Sequence, residues 1–290
     1  MSKIAILTDS SCDIPQEMAE KYGIDIMSFH ILLDDVDYVE RESCTNTEFY
    51  DKMRLAKGVP STAAITPIQF CEKYCQYVDE GYTDVIHVPI NKSGSSTYNN
   101  ALMAQGMLRE ERPEHHMKIH LLDPHTYSMV FGWYLCEMAR KLKNGAEINH
   151  VIQEFEKQMN CMEIILGPYS LKQMKKSGRI SAAAAVMGEL MGVRPIITLI
   201  DGKTKVESKV RGDDKVVPAM IELCKKRTDG VENFDYMIGH TNIKQAEDLE
   251  KACRKAFGKA PLVVFELGGV VSANTGPDTV ALVYTGHPRG

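Results

Sequence analysis

Five short segments carry the side chains best suited to polar chemistry. Asn91-Lys92-Ser93-Gly94-Ser95-Ser96-Thr97-Tyr98 follows a β-branched run and opens a helical pattern, so it reads as a strand-to-helix turn. The first turn of a helix offers unpaired N–H groups and a partial positive charge, both favourable to an anion. Gly94 would let the backbone come close, and the hydroxyls add neutral donors. The same letters also suit a plain Ser-rich N-cap. Pro60-Ser61-Thr62-Ala63-Ala64-Ile65-Thr66-Pro67 reads as a capped loop between two helices, with hydroxyls to spare. Thr8-Asp9-Ser10-Ser11 closes the first strand, at the edge where open α/β sheets collect ligands; a capping Asp is the structural alternative. In Lys176-Ser177-Gly178-Arg179-Ile180-Ser181, Arg179 is a cation able to pair with an anion in a cleft, or an exposed helix-end charge. Gly268-Gly269 through Gly276-Pro277 brackets a short apolar run, which reads as backbone packed tightly between strands and defines no site by itself.

Other chemistries lack their patterns. No GxSxG elbow is present and no His or acid partner can be assigned to a nucleophilic serine, which leaves a serine hydrolase without support. The nine His form no HExxH motif. The eight Cys include no CxxC pair; Cys71 and Cys75 share a helix face, but small buried thiols in a reducing compartment are the expectation. No metal is therefore expected. A formal net charge of -5 makes a nucleic-acid partner an unfavourable reading, with Lys172, Lys175, Lys176 and Arg179 as one local basic patch. No apolar run approaches the roughly 18 residues of a membrane span. The start shows no signal-peptide pattern, so a cytoplasmic location is expected.

The elements that must position these segments follow an α/β pattern. Strands are expected at Lys3–Leu7, Asp84–Val88 and Lys118–Leu122, with an extended run Ile24–Leu33. Thr45-x-x-Glu48 and Thr66-Pro67-x-Gln69 are capping boxes that open helices. Helices are expected over Ser96–Glu111, Thr126–Lys143 and Glu147–Asn160. Beyond that, Pro195–Ile200 and Lys203–Val210 form a hairpin around Asp201-Gly202, a type I′ pair. An Ala- and Met-rich helix is expected at Ser181–Val193. Strand-helix alternation implies a parallel sheet in residues 1–165. The hairpin and the terminal strands imply a mixed sheet in 166–290, the division falling near Gly167-Pro168.

Taken in order, the five segments resemble the DegV family of bacterial fatty-acid-binding proteins, and the resemblance spans essentially the whole chain. Thr8-Asp9-Ser10-Ser11-Cys12-Asp13-Ile14-Pro15 matches the family's opening T-D-S-x-x-D-[IL]-P. The loop at Thr62 answers to T-S-Q-P-S-P, Ser95-Ser96-Thr97-Tyr98 to S-G-T-Y, the stretch at Arg179 to G-G-R-I-S, and the last segment to G-x-H-x-G-P-G. The resemblance implies two α/β domains: an N-terminal three-layer domain on a parallel sheet and a C-terminal two-layer domain on a mixed sheet. It implies a long-chain fatty acid bound between them as ligand, with no cofactor and no catalysis by this chain. Thr62 and Ser95 match the family positions that hold the carboxylate. Ser96 takes the family Gly position and keeps its N–H, and Arg179 matches the family Arg near the headgroup. Three departures stand out: Asn274 replaces the family His, Asp278 replaces a Gly, and Ala63, Ala64 and Ile65 replace the polar and Pro positions of the first loop. Family members present the fatty acid to a separate fatty acid kinase, which implies such a partner, a link to phospholipid metabolism and transient membrane contact. An imidazole exchanges protons near neutral pH and Asn274 does not, so weakened kinase coupling is expected.

The physics suits that ligand. Each buried CH₂ is worth roughly 0.8 kcal/mol, so a long chain supplies the affinity and the headgroup site need only avoid an unpaired buried carboxylate. Sixteen Met, Met187 and Met191 among them, suit an adaptable tunnel, although ordinary core filling accounts for most. The alternative is a phosphosugar-binding domain or a dihydroxyacetone-kinase-like enzyme, because Ser-rich strand-to-helix turns also cradle phosphates.

Overall fold

A computed structural model describes residues 3–178 and 192–289. The first unit is built on a parallel sheet of four strands: β1 (Ile4–Asp9), β2 (Ile24–Met27), β6 (Asp84–Val88) and β7 (Lys118–Leu121), in the order β2-β1-β6-β7. Its successive side chains alternate between two faces, and both faces are covered. Ile6, Ile24, Ile86 and Val88 pack on α1 (Gln16–Tyr22), α5 (Met129–Lys143) and α6 (Ile148–Met159). Ala5, Leu7 and Val85 pack on α3 (Pro67–Asp79) and α4 (Thr97–Glu111). This is the expected three-layer arrangement.

The expected extended run Ile24–Leu33 is two strands in two sheets. After β2 the chain leaves for β3 (His30–Leu33), which pairs antiparallel with β4 (Val36–Val39) and β5 (Ser61–Ala63). Asp34 and Asp35 turn that hairpin with φ of 47° and 64°. Strand β5 corrects the loop reading of Pro60–Pro67: Thr62 lies opposite Ile31 in a side sheet. Both capping boxes form, at Thr45/Glu48 on α2 (Asn46–Leu55) and at Thr66/Gln69 on α3.

The second sheet has six strands in the order β10-β9-β8-β13-β11-β12. They are β8 (Met162–Pro168), β9 (Val193–Ile200), β10 (Lys203–Arg211), β11 (Tyr236–His240), β12 (Val264–Glu266) and β13 (Thr279–Thr285). Only β11 and β12 pair in parallel, which makes the sheet mixed, as expected. Asp201 and Gly202 turn the β9–β10 hairpin at φ of 49° and 69°. One face, with Ile165, Ile238, Val280 and Leu282, packs on α8 (Val216–Arg227) and α9 (Ile243–Phe257). The other face turns Ile164, Leu166, Ile197 and Val283 into the core that α5 and α6 share with the first sheet. One helical layer thus serves both sheets. Strand β8 occupies the interior of this sheet, so the expected division after residue 165 falls within it. Between β8 and β9 lies α7 (Lys172–Ser177). The helix expected at Ser181–Val193 falls outside the described residues up to Met191, and Val193 opens β9.

The Gly268–Pro277 segment is not backbone threaded between strands. It forms a short helix, α10 (Gly269–Thr275), which leaves the second sheet to touch α2, α7 and β5.

Candidate functional site

One cavity opens where the two units meet, enclosing about 1130 Å³ of unfilled space that is partly open to solvent. Part of its polar lining comes from three of the five segments. Thr62 comes from β5, Ser95 and Ser96 from the start of α4, and Asn274 from α10. These four expected carboxylate-site residues share its wall. Arg179, the fifth, lies outside the described residues.

The Ser-rich turn is organised by its neighbours. Asn91 is buried, and its Oδ1 accepts from Ser93 N at 2.8 Å and Ser93 Oγ at 2.9 Å. Thr97 is also buried; its N–H donates to Ser95 Oγ at 3.2 Å, and the two hydroxyls lie 2.8 Å apart. Ser95 is therefore both cap and candidate ligand. When Thr97 donates both of its protons to Ser95 Oγ, the Ser95 proton is left for an anion. Ser96 is the N-cap residue of α4 and makes no side-chain cap bond. Gly94 permits the close approach of Tyr127, whose Cε1 would stand 2.7 Å from a Cβ at that position. Asn274 Nδ2 donates to Val270 O at 2.8 Å, which holds the amide against its own helix.

The third segment is scaffold. Asp9 caps the short 3₁₀ turn Ser10–Cys12: Oδ1 accepts from Ser11 N at 3.1 Å and Ser11 Oγ at 2.5 Å. Its Oδ2 accepts from Ile90 N at 2.7 Å, which ties the end of β1 to the chain leading into the Ser-rich turn. Burial pushes the Asp9 carboxyl up to about 7, against the pull of those hydrogen bonds. The capping reading of Asp9 is the one realised.

Two further acids, unmarked as site residues by sequence reasoning, hold α10 in place. Glu40 is buried; Val270 N donates to its Oε1 at 2.8 Å, and Ser10 Oγ donates to its Oε2. Ser128 Oγ donates to Asp13. Burial raises the Glu40 carboxyl, and burial with the nearby Glu40 charge raises Asp13 well above its usual range. Gly268 passes so close that a Cβ there would run into Asp13 Oδ1 and lie 2.8 Å from Glu40 Oε1. Tyr50 adds a hydrogen bond to Leu267 O at 2.5 Å. Asp278, the other departure in this motif, pairs with Arg54 at 3.3 Å across the two units.

The rest of the wall is mostly apolar, with Phe29, Val130, Ile164, Leu166, Leu199, Phe265, Leu267, Ala281 and Val283 among its residues, beside Tyr127, Ser128 and Thr275. No described residue lining the cavity is charged. These wall positions were missed by sequence reasoning. The alternation within β8 and β13 was there to read, but both strands are buried on both faces, so alternation does not say which face meets a ligand. All eight cysteines are free, and no group of three His, Cys, Asp or Glu among the described residues could hold a metal. No described helix is long and apolar enough to cross a membrane.

Fold and site together define a class: a two-unit α/β protein with a mostly apolar cavity between its units, lined also by hydroxyls and a helix start. The family model described as "Uncharacterised protein, DegV family" matches residues 3–286, and the chain belongs to the DegV family. A DegV domain-containing protein of Clostridium perfringens is 28% identical over 293 residues, covering 98% of this chain and 99% of its own. A stearic acid-binding protein from Eubacterium ventriosum shares the fold at a TM-score of 0.89 with 22% identity, covering 98% of both chains. A DegV family protein from Streptococcus agalactiae, described as fatty acid binding, is 25% identical with a TM-score of 0.85 over 99% of this chain and 100% of its own. The last two are described as binding proteins, not as enzymes.

Proposed function

We propose that this protein binds a long-chain fatty acid in the cavity between its units. Its carboxylate lies against the Thr62 and Ser95 hydroxyls, the Ser96 N–H and Asn274. The observation that carries this reading is convergence. Thr62, the Ser95-Ser96 pair and Asn274, drawn from three segments far apart in sequence, line one cavity whose remaining wall is mostly apolar and, among the described residues, uncharged. Neutral donors at a helix start can hold a carboxylate, and an uncharged wall suits a hydrocarbon better than a sugar phosphate. The similar proteins described as fatty acid binding support the same ligand class.

Organic extraction of the purified protein followed by mass spectrometry is the direct test. A long-chain fatty acid, about C14–C20, is the expected product, since each buried CH₂ adds about 0.8 kcal/mol. An empty cavity combined with tight sugar-phosphate binding overturns the reading. We further propose that the protein acts in the cytoplasm and hands its fatty acid to a separate kinase, with Asn274 limiting that step. Acyl-phosphate formation with a fatty acid kinase should then be faster for Asn274→His than for the unaltered protein; equal high rates refute this role. We place the division between the units just ahead of Met162, where β8 enters the second sheet.

A further inference from the structure

The second sheet presents two rows of side chains to the layer it shares with α5. Cross-strand pairing sets them out in order. One row runs Met237–Val283–Ile164–Leu199, and every position carries a large apolar side chain. The next row runs Gly239–Ala281–Leu166–Ile197 and shrinks from two large side chains to one methyl group and then to none. The space above Gly239 is taken: a Cβ there would stand 2.8 Å from Phe265 Cζ and 3.1 Å from Leu267 Cδ2. Phe265 is the strand neighbour of Gly239, and its ring fills the position the glycine leaves bare. At the next position of the row Ala281 carries only a methyl group and is 2% exposed. Ala281 lines the cavity, as do Leu166 and Phe265 on either side of it. By this register the wall steps down at Ala281 between Leu166 and Phe265, a notch in the row with the Ala281 methyl as its floor.

We propose that Ala281 selects among hydrocarbon chains: the bound chain runs across its methyl group, between Leu166 and the Phe265 ring, and the depth of this notch sets the length and branching accepted. This rests on the reading that the cavity holds a fatty acid. A side chain larger than Ala at 281 would occupy the path of the chain. The floor would rise by the three carbons that Leu adds, while the carboxylate end at Ser95 and Thr62 would be untouched. Removing the methyl would deepen the notch and make room for a side branch.

The experiment is a binding series with saturated straight-chain acids from C10 to C20 and one methyl-branched acid, for the unaltered protein, Ala281→Leu and Ala281→Gly. Ala281→Leu is expected to weaken the longest acids at least tenfold more than the shortest, moving the optimum to shorter chains. Ala281→Gly, which adds no atoms and so keeps the test open if the Leu variant folds poorly, is expected to gain severalfold for the branched acid relative to its straight isomer. Equal changes across all chains in both variants overturn the role of Ala281 and leave the fatty-acid reading standing. If the unaltered protein takes up no acid of any length, the fatty-acid reading falls and this inference falls with it.

Discussion

The proposed carboxylate site rests on a few hydroxyls, so single atoms matter there. Replacing Thr62 or Ser95 with Ala should each weaken fatty acid binding by about 1–3 kcal/mol, through loss of a hydrogen bond to a charged group. Titration with a fluorescent fatty acid measures this directly, and unchanged affinity in both variants would place the headgroup elsewhere. The Ser95 effect should include some loss of stability, because that hydroxyl also caps α4 through Thr97. Asp9 makes a pH prediction. Its carboxyl is raised from 3.8 to about 7 in the folded protein, so the fold holds a proton that the unfolded chain has already released. The stability this brings is complete below about pH 4 and fades as pH rises through about 7; it amounts to at most about 4 kcal/mol. Asp9→Asn should remove that decline, so its melting temperature should fall less than that of the unaltered protein between pH 5 and pH 8. Parallel curves for the two proteins would show that Asp9 is not the group titrating.

At the scale of elements, α10 is the piece that joins the two units at the ligand. It carries Val270, Val271, Asn274 and Thr275 to the cavity, and its start is held by Glu40 and pressed against Asp13. Gly268→Ala forces a methyl into those two carboxylates, neither of which sits at the free end of an exposed chain. It should cost about 1–3 kcal/mol of stability and weaken fatty acid uptake along with it. Gly106 supplies the contrast. It lies exposed within α4, and a Cβ there meets nothing within 4 Å. Gly106→Ala should stabilise the protein by about 0.5–1 kcal/mol and leave ligand affinity unchanged. Urea unfolding of both variants reads the two signs, and the same sign for both would contradict the packing described around Gly268.

At the scale of the whole molecule, a ligand held between two units should stabilise both together. At a free concentration near one hundred times Kd, a fatty acid should add about 2.7 kcal/mol, a rise in Tm of several degrees for a chain of this size. Ties that cross the boundary share in that coupling. Arg54 meets Asp278 and the Pro277 carbonyl, the latter at 2.7 Å, and His125 meets Asp201 on the hairpin at 2.8 Å. Arg54→Ala should therefore reduce the Tm gained on ligand addition, read by thermal melts with and without oleate. An undiminished gain would show that the α2 contact plays no part in closure.

Much of the fold was written locally. The capping boxes at Thr45 and Thr66, the Asp201-Gly202 turn and the β-branched run Asp84–Val88 each act over a few residues, and each formed where expected. The family resemblance of the ordered motifs also pointed to Thr62, Ser95, Ser96 and Asn274, of which only Ser95 and Ser96 stand at a helix start. Other features depended on distant partners. Thr62 lies in a strand because Ile31 pairs with it, not because Ser61-Thr62-Ala63 prefers to be extended. The Gly268–Thr275 run is a helix whose glycines answer to Asp13 and Glu40, more than two hundred residues away in sequence. The apolar wall, with Ala281 at its floor, exists only because one face of the second sheet meets α5. Sequence by itself determined the kinds of element and the polar chemistry, since those are set by short-range backbone and side-chain preferences. Tertiary structure alone decided which residues share the cavity, since that follows from long-range packing of faces whose residues look alike in sequence.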